Sequence, residues 1–309
     1  MAGVYAAKKQ SLWTKIWKYR HIYLLLLPGF VYFIIFKYVP IYGIQLAFKD
    51  YNFGLGISGS PWVGFENFEY LFSEGQFWNA FKNTIIISFM KLIFAFPIPV
   101  ILAIFLSEIR WKKYRRVLQT VLTFPHFLSW VVLSGIMFTF LSNTGVVNNI
   151  LEIAGLERIE FLTDAGTFRW LLVLSDIWKE AGWSTIIYLA AILGVDMSLH
   201  EAASIDGATR LEKIRYIVWP EIQSVVIVMF ILQVGNIMEA GFMQVLNLYN
   251  SSVYSVGDIL DTYVYRITFQ TGADFGISTA VSLFKGVTNC ILLLTANFVA
   301  KKFGQKGIS

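Results

Sequence analysis

Six long apolar runs constrain this chain more than any other feature of it. They lie at roughly Ile22–Val39, Thr84–Ser107, Val117–Leu141, Trp170–Leu193, Ile222–Gly241 and Ile277–Ala300. Each approaches the ~20 residues that a helix needs to cross a hydrocarbon core. In lipid every backbone N–H and C=O must be satisfied within the segment, so such runs fold as helices. Composition agrees: 56% of the 309 residues are hydrophobic and 15% are charged, against roughly 45–50% and 25% in soluble domains. The expectation is an all-α polytopic membrane protein with six transmembrane helices. Pro28-Gly29 interrupts the first run, and Pro97 and Pro99 the second, but neighbouring helices can satisfy the groups these residues free. The fourth run carries Asp176, Lys179 and Glu180 and is the least apolar in character.

Orientation follows from the basic residues in the connections. One side holds Lys8, Lys9, Lys15, Lys18 and Arg20 in the N-terminal arm, and Arg110, Lys112, Lys113, Arg115 and Arg116 after the second run. Arg210, Lys213 and Arg215 follow the fourth run, and Lys301, Lys302 and Lys306 lie in the tail. The opposite side holds only Lys37, Lys49, Lys82, Arg158, Arg169 and Arg266. Both termini are therefore expected on the cytoplasmic side. This placement also explains the net charge of +5 without a nucleic-acid partner, because the cations flank apolar spans.

The chain divides into a cytoplasmic arm (1–21), a six-helix membrane domain (22–300) and a cytoplasmic tail (301–309). The first run is too long for the apolar core of a signal peptide and lacks a small-residue cleavage site, so it is read as retained. Before it, Leu12, Trp13, Ile16 and Trp17 recur at helical spacing around Lys15 and Lys18. That pattern suits either an amphipathic helix in the lipid interface or a plain positive flank that sets topology. Cys290, the single cysteine, excludes a disulfide framework and a cysteine-based zinc site, and reads as a small apolar filler. His21, His126 and His200 lie far apart, and no phosphate loop, HExxH or GxSxG occurs. Neither a catalytic set nor a metal site is expected.

The connection between the fourth and fifth runs (195–221) is the most structured of the loops. Ser198 with Glu201 three residues on has the spacing of a capping box that starts a helix. Ala202 and Ala203 keep one surface low for close approach of another protein, and Asp206-Gly207 supplies a turn. A second helical stretch, Leu211–Val218, is expected to stop before Trp219-Pro220, since a proline disfavours helix at the residue preceding it. The product is a helix-turn-helix elbow, which is either a docking element or a tidy inter-helix loop.

The string Glu201-Ala202-Ala203, three residues, Gly207, nine residues, then Ile217-x-Trp219-Pro220 resembles the EAA motif of binding-protein-dependent ABC importer permeases. Trp219 replaces the usual leucine. The fuller sequence from Glu201 to Thr209 is similar to the carbohydrate branch of that family. The stretches Trp62–Phe68 and Phe77–Thr84 look like its lead into the core bundle. Tyr254–Arg266 is similar to its polysaccharide-type (LplB-like) subset, associated with oligosaccharides larger than disaccharides. The resemblance implies the type I ABC importer permease fold, with coupling to an ABC ATPase dimer through Glu201, Ala202, Ala203, Asp206, Gly207 and Pro220. It implies no cofactor on this chain and ATP-Mg at the separate ATPase subunits. It further implies a second permease, an extracytoplasmic solute-binding protein and a carbohydrate substrate, in a bacterial cytoplasmic membrane whose lipid surrounds the spans.

Ionisable groups at mid-span cost roughly 2.5–3.5 kcal/mol each on insertion scales, so they face protein or water. Asp176, Lys179, Glu180 and Trp183 fall at i, i+3, i+4 and i+7, on one helical face, with Trp178 beside it. A polar stripe with tryptophan suits a sugar, whose hydroxyls need hydrogen bonds and whose CH face stacks on aromatics. The alternative is an internal pairing of Lys179 with Asp176 or Glu180 that only braces the bundle. Gln233, Asn236 and Glu239 share a face in the fifth run, either along the pathway or in inter-helix hydrogen bonds. Lys91 and Lys285 are expected to snorkel towards the outer boundary, and His126 to be a packed polar residue. A self-sufficient carrier or channel driven by an ion gradient is the rival reading. It predicts an ion relay or an inverted repeat, and neither is evident.

Overall fold

Arg20–Phe48, Gly75–Ser107, Trp130–Ile153, Arg210–Gly235 and Phe275–Lys302 are, among the described residues, the five helical segments long and apolar enough to cross a membrane. The computed structural model describes residues 12–272, 274–302 and 304. A sixth helix, Ala165–Leu193, has 29 residues and joins this set when taken with Met197–Ile205, which follows it after a 67° bend. Lys8, Lys9 and Lys306 lie outside the described residues. The arm is helical over Leu12–Lys18, with Trp13 and Trp17 well exposed and the Arg20 guanidinium 5.3 Å from the Trp17 ring.

The spans are not plain rods. The second contains a π turn over Lys91–Ala95, where Phe96 N–H donates to Lys91 O. A proline ring clashes with the carbonyl four residues back, and the wider turn just before Pro97 relieves that clash. The third departs most from expectation. Instead of one helix over Val117–Leu141, Lys112–Thr123 ends in a tight turn at Phe124–Phe127, and Trp130–Leu141 starts afresh. Pro125 cannot donate a backbone hydrogen bond, and Ser129 caps the new helix by accepting from Val132 N–H. The apolar run hid this break because Thr123, His126 and Ser129 are the only polar residues among the apolar and aromatic ones from Val121 to Val132. The fifth span also ends earlier than expected, at Gly235, and Gly241 then takes a left-handed φ of +99°.

The fourth span runs through the centre. Its N-terminal half contributes Phe168, Leu171 and Leu172 to one apolar cluster, and its C-terminal half packs Tyr188, Leu189 and Ile192 against Val100, Ala103 and Leu106 of the second span. A third cluster joins Ala47 at the end of the first span to Leu71, Phe77, Met238 and Ala280. Lipid tails are as apolar as leucine, so close packing rather than water exclusion holds such helices together. Gly182 shows how close: a Cβ there would lie 2.0 Å from Leu122 O. Between the fifth and sixth spans Arg266 donates to both Asp258 oxygens at 3.0 and 2.7 Å and lies near the Tyr254 and Tyr263 rings. The Asp258 carboxylate raises the Arg266 pKa, and burial pushes Tyr263 up to about 12.

Candidate pathway and coupling elbow

The elbow is built by three local devices. Asp196, not the expected Ser198–Glu201 box, caps its first helix, Met197–Ile205, by accepting from Ser198 N–H at 2.9 Å. Asp196 lies one residue before the helix, where its carboxylate reaches the free N–H groups, and those bonds hold its pKa below the ordinary value. Gly207, with φ +76°, ends the helix. Ala208 N–H donates to Ala203 O and Gly207 N–H to Ser204 O, the paired bonds of a Schellman cap. A capping box does form, but at Thr209 and Glu212, where the second arm begins. Lys213 Nζ then donates to Ser204 Oγ at 2.6 Å and ties the two arms together.

The second arm does not stop at Pro220. It continues from Arg210 to Gly235 as the fifth span, through a π turn over Ile214–Val218 in which Trp219 N–H donates to Ile214 O. The widened turn absorbs the proline, so the second arm of the elbow and the membrane helix are one continuous helix. Glu201, Ala202, Asp206, Gly207 and Pro220 are exposed and Ala203 half-buried. Ile205 and Leu211, 87% and 74% exposed, add apolar surface that sequence reasoning missed. Helical periodicity there was too short to show which face they occupy.

At mid-membrane the charged groups of the fourth span divide. Asp176 does not meet Lys179. Its Oδ1 accepts from Lys91 Nζ at 3.0 Å, and Lys91 also donates to Ala240 O and Gln244 Oε1. Lys91 is buried and does not snorkel, since Gln244 and a carboxylate from two other segments lie within its reach. Lys285 likewise pairs with Asp261. Lys179 is buried and donates to Glu180 Oε1 at 2.9 Å and to the His126 carbonyl at 2.7 Å. Part of the polar stripe is thus bracing.

Pairing does not remove these groups from open space. Asp176, Glu180, Ser184 and Gln233 line, with Lys91 and Tyr188, a cavity of about 300 Å³ between the second, fourth and fifth spans. Glu180 keeps 36% of its side chain exposed while pairing with His126 Nδ1 at 2.7 Å. Trp183 lies outside that cavity, stacked on His126. Trp178 turns to a separate apolar groove with Leu133 and Trp170. Asn236 and Glu239 fall beyond the end of the fifth helix; Asn236 bonds back to Leu232 O, and both border a small void beside Lys91. Cys290 is exposed rather than a core filler. Among the described residues no group of three His, Cys, Asp or Glu side chains could hold a metal. Lys91, Gln244 and His126 are the participants missed from sequence, because each acts across segments far apart in the chain.

Residues 71–305 match the family model described as binding-protein-dependent transport system inner membrane component. The chain is 44% identical over 302 residues to the polygalacturonan/rhamnogalacturonan transport system permease protein YteP of Bacillus subtilis, covering 97% of this chain and 94% of that protein. It is 45% identical over 304 residues to Protein LplB of the same organism, covering 98% and 93%. A crystal structure of a bacterial alginate ABC transporter, in complex with an alginate pentasaccharide-bound periplasmic protein, contains a chain that superposes with a TM-score of 0.87 at 39% identity. The match covers 97% of this chain and all of that one.

Proposed function

This chain belongs to the binding-protein-dependent transport system inner membrane components, and from that premise we propose that its cargo is a carbohydrate, an oligosaccharide or polysaccharide fragment. It is a multi-pass membrane permease subunit of an ABC importer and not itself an enzyme. Family membership sets aside the ion-gradient-driven carrier. The cargo class is supported by the relatives named for polygalacturonan and alginate and by one observation within the chain. Glu180, a carboxyl group at mid-span, stays 36% exposed beside a polar cavity. A carboxylate left open at that depth faces water rather than lipid, as a path for a hydroxylated solute requires.

The remaining parts of the reading follow from this one. A second permease, related but different, covers the open side of the cavity and completes the path. A solute-binding protein delivers the glycan to the outer face. An ABC ATPase dimer, carrying ATP-Mg, docks on the elbow from Met197 to Pro220, where exposed Ile205 and Leu211 enter its surface. Both termini lie on the cytoplasmic side of a bacterial cell membrane, with the Leu12–Lys18 helix in the interface.

The test is reconstitution of this chain with the partner permease, ATPase and solute-binding protein in proteoliposomes. ATP-dependent accumulation of an oligosaccharide is the expected result. Accumulation that needs no ATP and follows an ion gradient would overturn the reading.

A further inference from the structure

Five of the seven residues 110–116, between the second and third spans, are basic: Arg110, Lys112, Lys113, Arg115 and Arg116. All are exposed except Arg115, which is half-buried. Among the described residues none of the five has a side-chain hydrogen bond, an ion pair or a ring contact, and Glu108 in the same connection pairs with none of them. Arg266 and Lys285, by contrast, each meet a carboxylate. The fold gains nothing from these cations. Lys112 and Lys113 open the helix Lys112–Thr123, where its dipole disfavours positive charge and no acidic residue offsets it. The same helix also carries two apolar faces. Leu118 and Leu122 pack against the cluster that contains Ala103 and Leu106. Tyr114, Val117 and Val121, at i, i+3 and i+7, share the other face and are 55%, 51% and 62% exposed. Lys113 stands one turn before Val117, and Trp111, just ahead of the helix, is 79% exposed. An indole beside a basic run at the end of an apolar span sits at headgroup level, because the ring is amphipathic.

We propose that residues 110–116 form a binding site for the headgroup phosphates of anionic phospholipids, with Trp111 and Tyr114 at the boundary between headgroup and tail. A guanidinium fork takes two phosphate oxygens at once, and each Lys or Arg near an anionic surface strengthens the attraction about fivefold. A lipid fits this surface better than a free anion or an acidic protein face. Exposed Val117 and Val121 continue from the cations along the same helix, so acyl chains cover them while the headgroup meets the charges. A headgroup held here also anchors the start of the helix whose Leu122 carbonyl packs on Gly182 of the fourth span. The site is independent of the cargo.

The assembled transporter in nanodiscs of equal parts phosphatidylcholine and phosphatidylglycerol tests this, with retained lipid counted by native mass spectrometry. Wild type is expected to retain phosphatidylglycerol over phosphatidylcholine by about fivefold or more. Lys112→Gln/Arg115→Gln/Arg116→Gln should lose most of that preference. Lys301→Gln/Lys302→Gln/Lys306→Gln, which removes the same charge from the tail, should keep it. Equal losses in the two variants would reduce the cluster to an unspecific positive flank and overturn the site. A preference that survives in the first variant overturns it too, and loss of co-purifying ATPase alongside would assign the cluster to that protein. In nanodiscs of phosphatidylcholine alone, inorganic phosphate should leave the wild-type melting temperature unchanged. A rise matching the one that phosphatidylglycerol gives would assign a free anion in place of a lipid. Where the first variant fails to assemble, wild type decides. Phosphatidylglycerol with a photocrosslinker on its headgroup should label residues 110–116 more than the matching phosphatidylcholine probe does, and equal labelling overturns the site.

Discussion

Lys91 Nζ and Asp176 Oδ1 meet at 3.0 Å across the second and fourth spans, from residues 85 positions apart. The pair forms part of the cavity wall, and Lys91 also bonds Gln244 and the Ala240 carbonyl. It fixes three segments at the depth where the membrane offers no other polar partner.

Removing one member of this pair strands the other charge. Lys91→Met leaves the half-buried Asp176 carboxylate without its cation and Gln244 without its donor, and should lower the melting temperature of the folded protein. The double variant Lys91→Met/Asp176→Asn should recover much of that loss. Thermal unfolding in detergent of the two variants checks this, and a double variant no better than the single would contradict it.

Gly182 is expected to be intolerant of any side chain. A Cβ there would lie 2.0 Å from the Leu122 carbonyl, and backbone cannot yield as a flexible side chain can. Gly182→Ala should lower the melting temperature and loosen the third span. Gly135→Ala, where a Cβ meets nothing within 4 Å, should be close to neutral and serves as the control.

Gly207 presents the opposite case. A Cβ has open space there, but φ is +76°, a conformation that costs roughly 1–2 kcal/mol with a side chain. Gly207→Glu should therefore insert normally, pair with the second permease, and lose co-purifying ATPase or transport. Ile205→Asp, an 87% exposed site, should do the same without backbone strain. Wild-type ATPase association and uptake in both variants would contradict the elbow's assignment, with membrane abundance measured first.

Topology can be read by thiol labelling once the exposed native Cys290 is changed to serine. Cysteines at Ser142 and Ser251 should react with an impermeant reagent in intact cells, whereas one at Ser204 should react only after lysis. The reverse pattern would invert the orientation.

What could be read from the chain and what could not differ in physical range. The elbow's Gly207 turn was legible because a glycine after an aspartate at a helix end is a local signal. The cap at Asp196 was misplaced onto Ser198 because both spacings are plausible until backbone geometry chooses one. The break at Pro125 was hidden by uniform hydropathy, and Pro220 was read as a stop because the π turn that absorbs it has no signature in residue type.

By itself the sequence determined the membrane class, the approximate spans and the family, since these depend on runs of apolar residues and on a spaced motif within one short segment. Only the tertiary structure decided which partner each of these charges takes. Asp176 and Lys179 share a helical face, yet one turns to Lys91 and the other to Glu180 and His126. In a low-dielectric interior a charge follows the nearest partner that packing brings to it, and those partners come from segments that the chain order does not place together.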